Sequence, residues 1–176
     1  HTQATDKMST SCYKCNLSGI SLWSGFEQWE DIYLLPTIST NFESLDTTSD
    51  ASTNLKKQDG EYLTTKFGYN IIRDKRNQSF QPTEGYRASF SQKLPLIQDS
   101  SSIMNGYNIS AYHDFSEDVI GSLKFYAKTI HGVDDDVRLT NRLYIPRRSL
   151  RGFNPYRVGP KDGDDYIGGN YNNVKF

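Results

Sequence analysis

Cys12 and Cys15 stand at Cys-x-x-Cys spacing, which serves thiol exchange, or half of a zinc site when a second ligand pair exists. The chain has 2 Cys and 3 His, and the first His after His1 is His113, so four zinc ligands are not at hand. In an extended strand the two cysteines would lie about 10 Å apart, too far for a disulfide, so a bridge requires a turn there. Incidental small residues, an oxidised loop disulfide and redox catalysis are the three readings, in falling order of support. Asp134-Asp135-Asp136 and Asp162-Gly163-Asp164-Asp165 offer oxygen ligands, but neither has the spaced acids and distal Glu of a calcium-binding loop. Solvated or loop-packing acids fit them better. His113-Asp114 and the many serines invite a hydrolase triad, yet no nucleophile-elbow framing accompanies them. These residues predict no catalytic constellation, no metal and no cofactor, hence a protein that is not an enzyme.

The most particular residue order lies near the C-terminus. Arg151-Gly152-Phe153 is followed by Gly159-Pro160-Lys161-Asp162 and then by Asp165-Tyr166-Ile167-Gly168-Gly169. A guanidinium can bind a carboxylate through two parallel hydrogen bonds, a glycine lets the backbone reverse tightly, and a phenylalanine anchors by packing. A solvated basic loop is the plainer alternative, since Arg142, Arg147, Arg148, Arg157 and Lys161 lie nearby. That alternative does not predict the ordered Gly-Pro and Gly-Gly elements.

Alternation of period two dominates the elements that would carry this loop. Ile20, Leu22 and Phe26 share one parity; so do Ile32, Leu34, Ile38 and Phe42, across Pro36. Leu63, Thr65, Phe67, Tyr69 and Ile71 form the cleanest stripe. Tyr86 to Leu96, Tyr107 to Phe115 and Val119 to Ala127 follow, giving six strands and the start of a seventh. Each is long enough for the roughly 9 to 11 residues of a tilted membrane strand. Connections are tight near Glu27 to Glu30 and at Ser116 to Asp118, and long and polar at Asp46 to Gly60 and His131 to Gly168. Short turns on one side and long loops on the other are the pattern of a transmembrane barrel. Phe26, Trp29, Phe80, Tyr86 and Phe115 fall beside the short turns, where an aromatic girdle would sit.

The stripes assign Leu63, Phe67, Tyr69, Ile71, Phe90, Leu123 and Phe125 to a convex, lipid-facing side. Lys66, Asn70, Arg87, Lys93, Lys124 and Lys128 go to a concave, aqueous side. Gln92 and His113 fall on the lipid-facing parity, where an unpaired polar group is costly. Pro36 lacks an N–H and predicts a bulge or frayed ladder.

Composition is compatible with this and excludes other classes. A chain with 35% hydrophobic and 23% charged residues has no run of about 18 apolar residues for a membrane helix, whereas a barrel buries only alternate residues in lipid. Aromatics reach 13%, and a net charge of −1 gives no nucleic-acid footprint. With His1 first and Lys175-Phe176 last, the chain reads as an internal piece of a longer protein.

The Arg-Gly-Phe, Gly-Pro-Lys-Asp and acidic-aromatic-Gly-Gly succession resembles the signature loop of the outer-membrane insertase family, also called the bacterial surface antigen family. Asp74-Lys75-Arg76-Asn77 with Phe80-Gln81-Pro82-Thr83-Glu84-Gly85 is similar to that family's Phe-x-Pro-Thr-x-Gly turn. One departure is Ile145-Pro146-Arg147-Arg148, where a Gly-Gly pair is common in the family, which stiffens the approach to the loop tip.

The resemblance implies an all-β fold, a partial transmembrane antiparallel barrel in which six to seven strands form a curved open sheet. It divides the chain into an uncertain N-terminal segment at 1–16 and a barrel portion at 17–176 containing the loop at 131–168. Implied site residues are Arg151, Gly152, Phe153, Gly159, Pro160, Asp162, Gly168 and Gly169 in a loop folded from outside into the lumen. Asp74, Arg76, Asn77, Pro82 and Gly85 are implied in a periplasmic turn. The activity implied is insertion of client barrels into the outer membrane of a Gram-negative bacterium. Its partners would be outer-membrane lipids, unfolded client β-barrel proteins and accessory lipoproteins, with no nucleic acid. A two-partner secretion or translocation-assembly barrel, a passive receptor or porin-like barrel, and a soluble β-sandwich adhesin are the competing readings.

Overall fold

The computed structural model describes residues 2–6, 13–49, 53–98, 101–133, 136–138, 141–146, 149, 152–153, 157–162 and 165–175. Long strands dominate: β1 (Thr2–Asp6), β2 (Tyr13–Trp23), β3 (Phe26–Trp29), β4 (Ile32–Thr47), β5 (Gly60–Asp74), β6 (Gly85–Gln98), β7 (Ser102–Ser116) and β8 (Val119–Gly132). After β8 come the two-residue strands β9 (Lys161–Asp162) and β10 (Asp165–Tyr166), then β11 (Tyr171–Lys175); a one-turn helix, α1 (Thr53–Lys56), sits between β4 and β5.

The strands pair in the order β1-β2-β4-β5-β6-β7-β8-β11, every contact antiparallel, with β3 also on β4. The two end strands do not pair with each other, so the sheet is open, as the alternation predicts. Its path holds eight strands rather than six or seven. The additional one is β1, whose Thr-Gln-Ala-Thr-Asp carries no apolar alternation and is identified only by its pairing with β2.

Register divides the side chains as the stripes require, because residues directly opposite in a ladder share a face. Leu63 faces Phe42, Phe67 faces Ile38 and Leu94, and Ile71 faces Leu34 and Phe90. Phe90 in turn faces Tyr107, Ile109 faces Phe125 and Ala111 faces Leu123. All the residues expected on the apolar side lie on this one face. On the other, Lys66 faces Ser39, Asn70 faces Ser91, Arg87 faces Ser110, and Lys124 and Lys128 face Ser110 and Gly106.

The polar face is the concave one. A concavity of about 380 Å³ is lined mainly by Thr37, Ser39, Asn41, Lys66, Asn70 and Lys93, and another of about 340 Å³ by Arg87, Asn108, Ser110, Lys124, Tyr126 and Asn173. Trp23 and Leu35 depart from the pattern and border the larger concavity. The convex face leaves Ile38, Leu63, Ile109 and Leu123 exposed, a surface suited to lipid rather than water.

Three irregularities have local causes. Pro36 lies opposite the break between β2 and β3, and its carbonyl accepts a hydrogen bond from Ser24 N at 3.2 Å. In a strand the N–H and C=O of one residue point to the same neighbour, so the missing donor faces the break and β4 runs on without a bulge at Pro36. A bulge does occur beside Pro95: Lys66 pairs with Pro95 but Thr65 with Ile97, which takes Leu96 off the lipid-facing parity of its stripe. Gln92 is paired rather than stranded. Tyr69 Oη donates to Gln92 Oε1 at 2.8 Å, Gln92 Nε2 to Asn105 Oδ1 at 2.8 Å, and Asn105 Nδ2 to Thr129 Oγ1 at 3.3 Å. His113 lies near the short-turn rim, edge-on to Phe115 at 4.9 Å.

The turns at 30–31, 75–84 and 117–118 occupy one end of the sheet, and the connections that follow β4, β6 and β8 leave from the other. Phe26, Trp29, Phe80 and Phe115 cluster exposed at the short-turn end.

Candidate functional site

The turn at the β5–β6 end is a self-contained hydrogen-bonded unit. Asp74 closes β5 and receives Arg76 as a fork, Nε to Oδ1 at 2.8 Å and Nη2 to Oδ2 at 2.6 Å, with Arg87 Nε 3.4 Å from the same Oδ2. Asn77 folds the rest of the turn. Its Oδ1 accepts from Thr83 N at 3.2 Å and Glu84 N at 3.4 Å, and its Nδ2 donates to Thr83 Oγ1 at 2.6 Å. Gly85 has φ +93°, and a Cβ there would collide with the Lys75 carbonyl oxygen, so both dihedral and space demand glycine. Pro82 follows Gln81, which has φ +49°, in the same turn as exposed Phe80. Lys75 Nζ meets Asp31 Oδ2 at 2.7 Å and ties this turn to the β3–β4 turn; that hydrogen bond, then the aspartate's charge, hold the ammonium above the ordinary lysine value. Asp74, Arg76, Asn77 and Gly85 thus meet in one unit.

Described parts of the long connection from β8 to β11, at Arg138 and Ser149, meet the concave face. Gly152, Gly159 and Gly168 have φ +86°, +133° and +65°, the left-handed region that favours glycine. Gly168 packs against the Leu143 carbonyl and Tyr144 ring, and Gly169 N donates to Leu143 O at 2.8 Å. Asp162 pairs with Asp165 in the β9–β10 hairpin, and Pro160 O accepts from Ile167 N at 3.0 Å. Phe153 is exposed. Asn173 Nδ2 donates to Ser149 O at 3.2 Å, which holds the backbone two residues before Arg151 against the concave face. Arg151 itself lies outside the described residues, as do Cys12, Arg147, Arg148, Asp134, Asp135 and Asp164. Cys15 stands in β2, opposite Leu45.

One contact was not anticipated from the sequence. Arg138 is 7% exposed and Glu43 7%, and Nη2 donates to Oε2 at 3.0 Å. The guanidinium carbon also lies 3.9 Å from the centroid of the Tyr62 ring. Glu43 and Tyr62 are directly opposite in the β4–β5 ladder on the concave face. Among the described residues the buried apolar side chains are Leu45, Ala127, Ile130 and Val137, and Thr64 and Ser102 are buried with them. A lone acid on a polar stripe was the sequence signal available for Glu43, and nothing pointed to its partner. Among the described residues no group of three or more His, Cys, Asp or Glu could hold a metal.

Residues 3–172 match the Omp85 superfamily domain. The outer membrane protein assembly factor BamA of Neorickettsia risticii is 26% identical over 148 residues, covering 81% of this chain and 20% of the relative. The human sorting and assembly machinery component 50 homolog is 26% identical over 123 residues, 68% of this chain and 26% of the relative. A SAM50-like protein of Schizosaccharomyces pombe is 28% identical over 179 residues, 96% and 38% respectively. The crystal structure of BamA from Haemophilus ducreyi lacking POTRA domains 1–3 superposes with a TM-score of 0.80 at 20% identity, covering 98% of this chain and 39% of that one, a likeness of fold. The chain therefore spans between about a fifth and two fifths of the length of these relatives.

Proposed function

This chain belongs to the Omp85 superfamily, and from that premise we propose that it supplies barrel wall and an infolded loop to a protein that assembles client β-barrels into an outer membrane. The observation carrying the reading is the union of two features in one superfamily match: an antiparallel sheet with an apolar convex face, and a long connection returning across its polar concave face. The relatives' names, an outer membrane protein assembly factor and sorting and assembly machinery components, support the activity. Partners on this reading are unfolded client barrels and outer-membrane lipids, with accessory lipoproteins of an assembly complex and no nucleic acid. The protein acts as an assembly factor rather than an enzyme, driven by client folding and local bilayer distortion without a cofactor.

The barrel unit of the proposal comprises residues 17–176 with the loop at 131–168, and the pairing of β1 with β2 supports adding residues 2–6. Arg151, Gly152, Phe153, Gly159, Pro160, Asp162, Gly168 and Gly169 form its lumen loop, entered from outside the cell. The left-handed glycines and the anchoring of Ser149 support this assignment. Asp74, Arg76, Asn77, Pro82 and Gly85 form a turn on the periplasmic side. The membrane proposed is that of a Gram-negative bacterium. A second host, the corresponding membrane of a eukaryotic cell, is favoured by the fission-yeast relative, which matches 96% of the chain; fractionation of the source cell separates the two.

The test in cells is depletion of the full-length protein and complementation by variants. Depletion lowers the level of folded outer-membrane barrels, and wild type restores it. Arg151→Ala and Arg151→Lys restore it poorly, since lysine lacks the planar fork, whereas Arg147→Ala restores it well. Unchanged barrel levels on depletion would contradict the proposed activity. Equal behaviour of Arg151→Ala and Arg147→Ala would remove the lumen loop from the account.

A further inference from the structure

We infer that Arg138, Glu43 and Tyr62 form a clamp that pins the start of the returning loop across the barrel interior, independently of Arg151. Arg138 follows the end of β8 by six residues, yet its partners sit on β4 and β5, beyond β7 and β6 in the sheet. At a strand spacing of about 4.8 Å, the path from β8 to β4 is about 19 Å along the sheet. Six extended residues reach about 20 to 22 Å. Six residues and an arginine side chain together span that path, and the contact with Glu43 and Tyr62 puts the Arg138 guanidinium over the concave face. The pair joins residues 95 apart in sequence.

The chemistry of the contact fits a lock. One Nη2 donor meets the Glu43 carboxylate, the Tyr62 ring covers the face of the guanidinium, and Nε and Nη1 have no acceptor among the described residues. Glu43 is thus the carboxylate hydrogen-bonded to a cation that is almost wholly out of solvent. Loss of Glu43 leaves that cation against a ring alone, and the loop's easiest response is to withdraw it into water. Other described ties of the loop to the sheet lie elsewhere: Val133 N to Ser101 O at 2.9 Å where the loop begins, Asn173 Nδ2 to Ser149 O at 3.2 Å beside β8, and Ile130 N to Asn170 Oδ1 at 2.7 Å where it ends. None of these three reaches β4 or β5.

The test uses the full-length protein folded in detergent micelles, with barrel folding read as heat-modifiable gel mobility. Loop opening is read as the rate of chymotrypsin cleavage after Phe153, a protease that leaves position 138 alone. Glu43→Gln and Arg138→Ala raise that rate at least tenfold while the barrel stays folded. The exchanged pair Arg138→Glu with Glu43→Arg brings it back to within a few-fold of wild type. Wild-type protection in both single variants overturns the clamp, and so does an exchanged pair cleaved as fast as the singles. Should the charge variants fail to fold, Tyr62→Leu decides, because it removes the ring and leaves the ion pair: several-fold faster cleavage supports the clamp and unchanged cleavage overturns it. Client insertion is a separate measurement, so failure here leaves the proposed function untouched.

Discussion

At Gly85 two constraints coincide, a φ of +93° and a Lys75 carbonyl where a Cβ would stand. Gly152 has the first without the second, with φ +86° and open space around it. The two glycines therefore separate backbone strain from collision. Gly152→Ala should cost about 1 to 2 kcal/mol, the price of a left-handed non-glycine residue, and Gly85→Ala clearly more, since the turn must also shift. Urea unfolding midpoints of the folded barrel measure both, and equal midpoints would show that the Lys75 carbonyl yields freely. Asn77→Ala removes the side chain that closes the same turn, with a loss of about 1 to 3 kcal/mol by the same assay. Both turn residues were legible in the sequence through the resemblance of their turn to the family's Phe-x-Pro-Thr-x-Gly pattern. Arg138 and Glu43 were not, since pairing across 95 residues depends on a path that the loop sequence does not encode in any period.

The strands show the same division between local and distant information. Leu63 to Ile71 alternates so regularly that its faces and its neighbours' follow from parity alone. Where parity placed Gln92 on the lipid side, the sequence posed a problem that only the register solves: Tyr69, Gln92, Asn105 and Thr129 line up across β5 to β8 as a hydrogen-bonded row. Gln92→Leu alone should leave the Tyr69 hydroxyl and the Asn105 carbonyl without partners and cost about 1 to 3 kcal/mol. A row replaced together, Tyr69→Phe, Gln92→Leu and Asn105→Leu, should be closer to neutral, because few polar groups then remain unpaired. A triple variant that loses the sum of three independent deletions would show that the row is not a unit. The bulge beside Pro95 was unreadable for the opposite reason, since Leu94 and Leu96 keep perfect alternation through a point where the ladder slips by one residue.

For the whole molecule, the open sheet presents lysines to one side and leucines and phenylalanines to the other, and its β1 and β11 edges are available for pairing. In the full-length protein in its membrane, single cysteines at Leu63, Phe67 and Leu123 should resist a water-soluble maleimide, and cysteines at Lys66, Lys93 and Lys124 should react; the reverse would put the register off by one residue. Strand order and face were predictable because a barrel wall is built from local hairpins. The proposed assembly activity is not written in any residue constellation of this kind, and the proposal rests on the superfamily and its relatives. Purified full-length protein reconstituted into liposomes tests it most directly, with an unfolded outer-membrane barrel added in urea and its folding followed by heat-modifiable mobility and protease protection. The account predicts client folding many-fold faster than in liposomes bearing an equal mass of a passive porin. Equal rates in the two preparations would contradict it.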